Sequence, residues 1–336
     1  MTGTPPILSE TPEAANDPLS DLLATMQLAG TVLFCAEFRE PWSIETPEAC
    51  QIARAVRSPT DHLIPFHVIA SGACDVALPD GDPVAMRAGD AVILPYGSVH
   101  LLKGAQPSPT VQIDGLLPDP PWQNMPVLKH GGNGDTTHII CGFVQCDELL
   151  FHPLLRHLPP MLHVRPDETP GDQWLATTIR HTATEALAPS PGSRSMLPRL
   201  TELMFVAILR KYMHGLSQNE VGWFAAFNDP IAGGALRAIH AAPLHDWTVE
   251  ALARQIGSSR TVLAERFKHY LGEPPIRYVA NWRLLLAAQK LKASALPLKM
   301  IAEEAGYESE AAFNRAFKRR FGLPPGDWRS RQTQTL

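Results

Sequence analysis

Hydrophobic and polar positions divide the chain into stretches of different period. From about residue 20 to 160, short runs such as TVLFCAEF, IPFHVIA, CDVAL and DAVILP alternate with turn sequences such as LPDGDP, RAGD and PYGS. Regularly spaced β-rich runs separated by Gly and Pro are typical of an antiparallel β-barrel or sandwich. We therefore predict a β domain over residues 20–165, after a disordered lead-in at residues 1–19.

Helical spacing replaces this pattern between residues 166 and 220. The segment DQWLATTIRHTATEAL and the segment MLPRLTELMFVAILRKYM are joined by LAPSPGSRS. Apolar residues of the second segment recur at three- and four-residue intervals: Leu197, Leu200, Leu203, Met204, Ala207 and Ile208. This pattern predicts a helical hairpin whose apolar stripe packs against the β domain or forms a dimer interface. Residues 221–230 are predicted to be a linker.

The C-terminal part of the chain contains one short unit twice, at an offset of 50 residues. The offset pairs Ser259 with Ser309, Leu263 with Phe313, Phe267 with Phe317, Lys268 with Lys318 and Gly272 with Gly322. In each copy a helix, a short Gly-containing turn and a second helix follow one another, which is the helix-turn-helix pattern.

Capping residues mark the helix ends in both copies. Thr248 precedes VEALARQI, and Ser259 precedes RTVLAERFKHYL. In the second copy Ser309 precedes EAAFNRAFKRRF, and Gly272 and Gly322 follow the two second helices. Ser and Thr are favoured as N-caps, and Gly is favoured just past a helix end.

A single helix is predicted between the copies, from about residue 275 to 292. At about 1.5 Å per residue it is about 27 Å long. Because one turn of B-DNA is about 34 Å, a rigid spacer of this size suits two reading helices in successive major grooves. Residues 231–336 carry 16 Lys and Arg against 9 Asp and Glu, a balance of +7, whereas residues 1–230 have a balance of −12. The charge therefore favours double-stranded DNA as the partner of the last third.

Spacing separates core positions from candidate DNA contacts in the second helices. The expected core pairs are Leu252 and Ile256 with Leu263 and Phe267, and Ile301 and Ala305 with Phe313 and Phe317. The exposed candidates are Arg260, Thr261, Ala264 and Glu265 in copy one, and Glu310, Ala311, Asn314 and Arg315 in copy two. Arg and Asn suit guanine and adenine edges. Nearer the helix ends, Lys268, Lys318, Arg319 and Arg320 suit phosphate contact or plain solvation.

Residues 231–331 resemble the DNA-binding domain of AraC/XylS-type transcriptional regulators. The resemblance covers LARQIGSSRTVLAERFKHYLGEPPIRYV, Arg283 on the spacer helix, and IAEEAGYESEAAFNRAFKRRFGLPPGDWR. It implies a bacterial sequence-specific regulator, commonly an activator that contacts RNA polymerase. Glu265 departs from the basic residue that the family often has there, so cytosine N4 or no base is its expected contact.

The stretch GDAVILPYGSVH resembles the second motif of cupin barrels. Gly89, Pro95 and Gly97 form strand ends in that motif, and His100 points into the barrel. Metal-dependent cupins add an HxH and a Glu, but this chain offers only His67, in PFHVIASG. Because these ligands are missing, a metal-dependent cupin enzyme with a helical interaction tail is only the alternative to a regulator. A His₂Cys metal site from His67, His100 and Cys141 and a set of ordinary core residues both remain open.

The five cysteines are odd in number and follow no framework spacing. Since the sequence begins without an export signal, we expect reduced thiols in the cytoplasm, and no apolar run is long enough to span a membrane. The β domain further resembles the cupin sensor of one AraC branch, most closely the reactive-chlorine-responsive kind. That resemblance implies oxidant sensing through Cys35, ahead of Trp42, and Cys141. Cys50, Cys74 and Cys146 are interpreted as structural.

Three functions follow for the β domain: an oxidant sensor, a small-molecule sensor with a pocket at His67 and His100, or a dimerisation scaffold without a ligand. The predicted fold class is a two-domain α+β protein, with an antiparallel cupin-like β-barrel and helical hairpin followed by an all-α double helix-turn-helix at residues 231–331. The expected partners are promoter DNA, RNA polymerase, a second copy of the chain and a small-molecule effector, without a cofactor or a membrane.

Overall fold

The computed structural model describes residues 17–26, 28–56, 58, 63–119, 122, 124–145, 157–166, 169–217 and 220–333. The chain forms two compact units. One unit contains residues 27–217, and the other combines residues 218–336 with residues 1–26. The predicted two-domain α+β class is confirmed.

Eleven strands of the described residues form two sheets in residues 27–217. They are β1 (Ala29–Arg39), β2 (Ser43–Thr46), β3 (Leu63–Ser71), β4 (Ala73–Ala77), β5 (Val84–Arg87), β6 (Ala91–Ile93), β7 (His100–Lys103), β8 (Val111–Gln112), β9 (Val127–Gly131), β10 (Thr136–Gln145) and β11 (Leu162–Val164). The six-stranded sheet has the order β11-β6-β3-β10-β1-β9, and the five-stranded sheet has the order β5-β4-β7-β2-β8. The edge pairs β1–β9 and β2–β8 are parallel, unlike the predicted all-antiparallel arrangement. Their long connections permit this, since only antiparallel neighbours are joined by tight hairpins.

The two sheets enclose one apolar core. Trp42, Phe38 and Ile44 are at most 1% exposed, and the rings of Phe38 and Trp42 lie 4.9 Å apart. Helix α2 (Ala49–Ala55) packs against β3 beside this core. Gly97 has a φ of +64°, and a side chain there would collide with Ala49, so the motif glycine is required at this strand end.

The predicted helical hairpin consists of α3 (Pro170–Leu187) and α4 (Ser193–Gly215). Helix α3 packs on β3, and α4 packs on β1. The predicted apolar stripe of α4 divides between two environments: Met204 and Ile208 are buried, whereas Leu203 is 47% exposed. Met196, just before the stripe, is 48% exposed. The buried part of the stripe therefore packs against the β domain, and the exposed part leaves an apolar face that a second copy could cover.

The second unit is helical. Its helices are α5 (Trp223–Asn228), α6 (Pro230–Ala241), α7 (Val249–Gln255), α8 (Arg260–Leu271), α9 (Pro275–Ala293), α10 (Leu298–Glu304), α11 (Glu310–Phe321) and α12 (Pro325–Thr333). Residues 221–230, expected to be a linker, instead include α5, whose Trp223 and Phe224 are buried. The sequence WFAAF places enough apolar surface there to fold onto α6 and α8.

The N-terminal segment also departs from the expectation. Residues 1–16 of the expected disordered lead-in lie outside the described residues, but α1 (Pro18–Met26) packs on α6 and α9. Leu19 and Leu22 are each 3% exposed, and Asp21 Oδ2 lies 3.7 Å from His240 Nδ1. The boundary predicted at residue 19 therefore falls within a helix that belongs to the helical unit.

No helix in the described part of the chain is long and apolar enough to cross a membrane.

Candidate nucleic-acid interface and sensor site

Both helix-turn-helix units form with the predicted caps. The hydroxyls of Thr248, Ser259 and Ser309 accept hydrogen bonds from the N–H groups of Ala251, Val262 and Ala312, at 3.1, 3.2 and 3.2 Å. Gly272 and Gly322 adopt left-handed φ values of +70° and +76° just past α8 and α11. The spacer helix α9 also lies where it was predicted. The repeat in the sequence is therefore a repeat in the structure.

The predicted core positions hold each unit together. Leu263 and Phe267 of copy one, and Phe313 and Phe317 of copy two, are all fully buried. Fully burying a large apolar side chain stabilises a fold by about 1.5–3 kcal/mol. Ile256 is the exception, since it is only partly buried.

The predicted DNA-contacting residues lie mostly on exposed helix faces. The exposed ones are Arg260, Thr261, Glu265 and Lys268 on α8, and Glu310, Ala311, Arg315, Lys318 and Arg319 on α11. Ala264 and Asn314 are partly buried. The Oδ1 atom of Asn314 is buried and has no hydrogen-bond partner among the described residues, so this amide must turn outward to reach a base edge. Contact with DNA by these residues stays a prediction.

The second helices of the two copies, α8 and α11, differ in the acidic partners of their cationic side chains. Arg260 Nη1 lies 2.7 Å from Glu250 Oε1 on α7, and this hydrogen bond lowers the pKa of Glu250. Arg266 Nη1 lies 3.6 Å from Asp229 Oδ2. Within the part of the chain that the structure describes, Arg315 and Lys318 have no such acidic partner. Copy two therefore presents the less neutralised surface to a polyanion.

Arg283, on the spacer helix α9, connects the two copies. Its Nε donates to the carbonyl of Pro243 at 2.6 Å, and its Nη2 donates to the carbonyl of His245 at 2.9 Å. Both carbonyls lie in the loop before α7. A Cβ on Gly306, in the turn of copy two, would lie only 2.9 Å from Arg283 Nη1. The guanidinium therefore holds the loop of copy one while packing against the turn of copy two.

Inside the β domain, three side chains form a connected chain. Cys141 on β10 is the direct cross-strand partner of His67 on β3, and Cys141 Sγ lies 3.0 Å from His67 Nδ1. His67 Nε2 lies 2.7 Å from Nε2 of His100, which begins β7 in the other sheet. His100 Nδ1 lies 2.9 Å from the carbonyl of Ser98. These groups, which we call the thiol–imidazole chain, link the two sheets through the core.

The carbonyl of Ser98 determines which atom carries each hydrogen in the thiol–imidazole chain. A carbonyl only accepts, so Nδ1 of His100 carries a hydrogen, and Nε2 of a neutral His100 is then an acceptor. His67 must therefore donate from Nε2, which leaves its Nδ1 as an acceptor. The thiol of Cys141 donates to that Nδ1. The resting arrangement is thus a protonated thiol aimed at a neutral imidazole.

Burial keeps all three side chains of the thiol–imidazole chain uncharged. It lowers the pKa of His100 to about 4 and, with help from His100, lowers the pKa of His67 well below its usual value. Burial also raises the pKa of the Cys141 thiol well above its usual value. The thiol of Cys141 is therefore held in its protonated form in the resting protein, because desolvation disfavours the thiolate.

His67, His100 and Cys141 come together, but not around a common point. His67 uses its Nδ1 for Cys141 and its opposite nitrogen, Nε2, for His100. Through these atoms a single ion cannot contact all three residues. Across the described ranges no three His, Cys, Asp or Glu side chains form a metal-binding group. In the arrangement that the structure shows, the three side chains are joined in sequence by hydrogen bonds, and the His₂Cys site stays an untested alternative.

The predicted ligand pocket at His67 and His100 is likewise not open. The two side chains are 3% and 1% exposed, and all four of their ring nitrogens have hydrogen-bond partners. A polar ligand could bind them only by breaking the chain of bonds. The sequence revealed both histidines but not their mutual contact, since no local pattern aligns residues from different sheets.

The two predicted sensor thiols lie in different environments. Cys35 Sγ lies 3.5 Å from the carbonyl of Ala186 in the last turn of α3, and burial raises the pKa of Cys35 to about 11. Cys141 belongs to the core cluster between the sheets, as does Cys74, whose pKa burial raises to about 12. Cys50 is partly exposed, and Cys146 lies outside the described residues.

A β domain with a buried thiol–imidazole chain, together with two helix-turn-helix units, defines a two-domain transcriptional regulator. Residues 17–214 match the family described as "Cupin", and residues 252–331 match the family described as "Helix-turn-helix domain". A putative AraC-like transcription regulator of Streptomyces lividans is 32% identical over 83% of this chain and 90% of its own length.

Of two further comparisons, one covers most of the chain and the other covers the DNA-binding domain alone. The RCS-specific HTH-type transcriptional activator RclR of Escherichia coli is 28% identical over 81% of this chain and 86% of its own length. The DNA-binding domain of AdpA, a global transcriptional factor in complex with a target DNA, is 26% identical over 31% of this chain and 92% of that chain, with a TM-score of 0.29. The chain belongs to the AraC-like transcription regulators and carries an N-terminal cupin domain. It is a DNA-binding transcriptional regulator.

Proposed function

We propose that this regulator binds a promoter through α8 and α11 and responds to an oxidant that reacts with Cys141. The observation that carries the proposal is the thiol–imidazole chain, in which the Cys141 S–H faces an acceptor nitrogen at 3.0 Å. His67 Nδ1 takes the proton as the sulfur attacks, and the His67 Nε2–H moves toward His100. The chain thereby supplies the thiolate that the resting pKa of Cys141 disfavours.

The reaction with hypochlorous acid balances without a further reactant. The sulfur of Cys141 takes chlorine from the acid and releases hydroxide, which combines with the thiol proton to form water. Hydrolysis of the S–Cl bond then gives a sulfenic acid and HCl. Because the core around Cys141 is close-packed, the added oxygen forces neighbouring side chains to move. The word "RCS-specific" in the name of the E. coli relative supports this choice of oxidant.

A reporter gene driven by the upstream region of this gene tests the proposal. Sublethal hypochlorite is expected to induce the wild type but not Cys141→Ser. Cys74→Ser is the matched control, because Cys74 is a buried thiol of the same core cluster. Cys35→Ser measures the contribution of the other predicted sensor thiol. Equal induction of the Cys141 and Cys74 variants, at equal protein levels, would remove the oxidant proposal.

We further propose that the protein acts in the cytoplasm as a homodimer and activates transcription through RNA polymerase. Met196, Leu200 and Leu203 follow one another on α4 at intervals of four and three residues, which suits a helix–helix seam, and the outer two are about half exposed. Leu203→Glu is expected to shift the protein from dimer to monomer in sedimentation, whereas Arg54→Glu, which replaces an exposed arginine of α2, is not. Two monomeric or two dimeric variants would contradict this seam.

The geometry also bears on the enzyme alternative. A metal-dependent cupin enzyme needs three or more protein ligands around one ion, and the described residues offer no such group. Regulation without catalysis is the proposal that we favour, because the relatives that this chain resembles are named as transcriptional regulators. Stoichiometric iron, manganese, nickel or zinc in the purified protein would reverse that preference.

A further inference from the structure

A groove of about 440 Å³ lies in the β domain, and its lining does not include Cys141, His67 or His100. It is bounded by β3, by the turn between β5 and β6, and by the face of α3. Its apolar lining includes Ile69, Ala176, Ile179, Ala183 and Leu187. Small-molecule sites in proteins usually have about 300–1,000 Å³ and a mostly apolar lining with a few polar groups.

Positively charged side chains at this groove outnumber the one carboxylate. Asp90 is 1% exposed and receives hydrogen bonds from Arg165 at 2.6–3.2 Å, from His163 at 3.1 Å and from the backbone N–H of Arg87 at 3.1 Å. Burial acts to raise the pKa of Asp90, but these hydrogen bonds outweigh it and hold the pKa below its usual value. The one carboxylate of the groove is therefore ionised and fully engaged with its own partners.

Two further arginines at the groove have no such partner. The side chains of Arg87 and Arg180 are exposed, and neither forms an ion pair among the described residues. Arg180 donates only to the hydroxyl of Thr177, at 3.3 Å. With Arg165 counted against Asp90, the groove keeps a balance of +2 over an apolar lining.

The groove also adjoins groups that the regulator uses. Ala186, whose carbonyl accepts from Cys35, lies on α3 between the lining residues Ala183 and Leu187. Ile69 is two residues beyond His67 on β3. A molecule bound between α3 and β3 would therefore contact the elements that hold Cys35 and His67.

We infer that this groove binds an amphipathic organic anion, with an aromatic or acyl body against α3 and its acidic group at Arg87 and Arg180. The site gives the regulator a class of effector distinct from the oxidant. The inference rests on the proposed function in one respect: binding of the anion would modulate promoter occupancy. Guanidinium groups bind carboxylate, sulfonate and phosphate oxygens through paired hydrogen bonds, which explains the need for arginine here.

Two dyes with one aromatic body separate charge from apolar contact. 1-Anilinonaphthalene-8-sulfonate carries the anionic group, and N-phenyl-1-naphthylamine lacks it. Fluorescence titration of the full-length protein is expected to show that Arg87→Gln with Arg180→Gln weakens the sulfonate at least tenfold and the uncharged dye less than twofold. Ala176→Phe, which fills the groove, is expected to weaken both dyes. Arg54→Gln with Arg210→Gln removes two exposed arginines elsewhere in the same unit and is expected to change neither.

Binding of the sulfonate that is unchanged in both the arginine pair and Ala176→Phe would overturn the inference, as would no binding to the wild type. Gel shifts with the promoter fragment, made on the same preparations, keep this failure apart from that of the proposed function. A protein that binds the promoter but does not discriminate between the dyes contradicts the groove alone. A protein that discriminates between the dyes but does not bind the promoter contradicts the regulator alone. Circular dichroism melting confirms that each variant is folded.

Discussion

Cys35 and Cys141 lie on adjacent, paired strands, yet their side chains lie on opposite faces of the sheet. Cys141 is paired with Phe34, the residue before Cys35, and successive side chains of a strand point to opposite faces. Cys35 therefore reaches α3, whereas Cys141 reaches His67 in the core. A pair of thiols suggested by sequence resemblance is thus separated by the sheet itself.

This separation predicts that no disulfide joins Cys35 and Cys141 in the folded protein, because their Cβ vectors diverge. Treatment with diamide followed by peptide mass mapping is expected to give the linked peptide only when denaturant is present. Cys35→Ser identifies the linked species by its loss. A linked peptide formed without denaturant would show that β1 and β10 rearrange in the native protein.

The buried histidines predict lower stability in acid. An unfolded His100 binds a proton near pH 6.5, but the folded one stays neutral until its pKa of about 4. Since the unfolded state binds more protons between these values, the free energy of unfolding falls as the pH falls through this window, by an amount on the order of 3 kcal/mol from His100. Thermal melting from pH 4 to 7 is expected to show a shallower dependence in His100→Gln, in which the amide oxygen still accepts from His67. A slope in His100→Gln equal to that of the wild type would contradict the assignment.

Copy two is predicted to supply the stronger DNA contact. Arg315→Ala is expected to weaken specific binding by about 10- to 100-fold, which corresponds to the loss of one bidentate base contact. Lys318→Ala is expected to weaken all sequences alike and to reduce the salt slope of log K by about one. Fluorescence anisotropy with specific and scrambled duplexes at several salt concentrations measures both effects. Lys299→Ala, an exposed charge on α10, is the control; if it matched Arg315→Ala, α11 would not be the reading helix.

Copy one is predicted to gain affinity when Arg260 is released. Glu250→Gln removes the carboxylate 2.7 Å from the guanidinium of Arg260, so that Arg260 becomes available to DNA. The expected result is several-fold tighter binding at low salt, fading as salt screens the contact. Glu303→Gln, on the corresponding helix of copy two, changes the net charge equally. An equal gain in both variants would mean that overall charge, and not Arg260, is responsible.

The contacts of Arg283 predict that substitutions at positions 283 and 306 have coupled effects on stability. Arg283→Ala removes two charge-assisted hydrogen bonds to carbonyls and is expected to lower the free energy of unfolding by about 2 kcal/mol or more. Gly306→Ala places a side chain at a φ of +78° and beside the guanidinium, at a further cost of about 1–2 kcal/mol. Urea unfolding of both single variants and the double variant tests the contact. Because Ala at position 283 vacates the space, the two losses should sum to more than the loss in the double variant; strict additivity would show no contact.

Much of the helical unit was predictable because its signals are local. Ser259 and Gly272 mark their helix ends through bonds within four residues, so the sequence alone places α8 correctly. The helix α5 was missed because its burial depends on partners far along the chain: Trp223 Nε1 donates to Tyr278 at 2.9 Å. The segment predicted to be a linker thereby becomes part of the core.

The candidate sensor site was predictable only as a set of residue types. His67, His100 and Cys141 were each chosen for their chemistry, but their order of contact depends on the register of β3 with β10 and on the packing of two sheets. The groove residues Arg87, Asp90 and Arg180 gave no signal, since they come from separate turns and helices. Only the fold brings their charges together.

Because α1 is part of the helical unit, the polypeptide passes between the two units twice, near residue 27 and near residue 218. A fragment that begins at residue 218 or later lacks Leu19 and Leu22 and leaves bare the surfaces of α6 and α9 that they cover. Protease cleavage near residue 218, by contrast, should release no free fragment at first, since α1 still docks beside His240. Dissection of this regulator into halves therefore calls for a permuted or fused design that keeps residues 18–26 with the helices they stabilise.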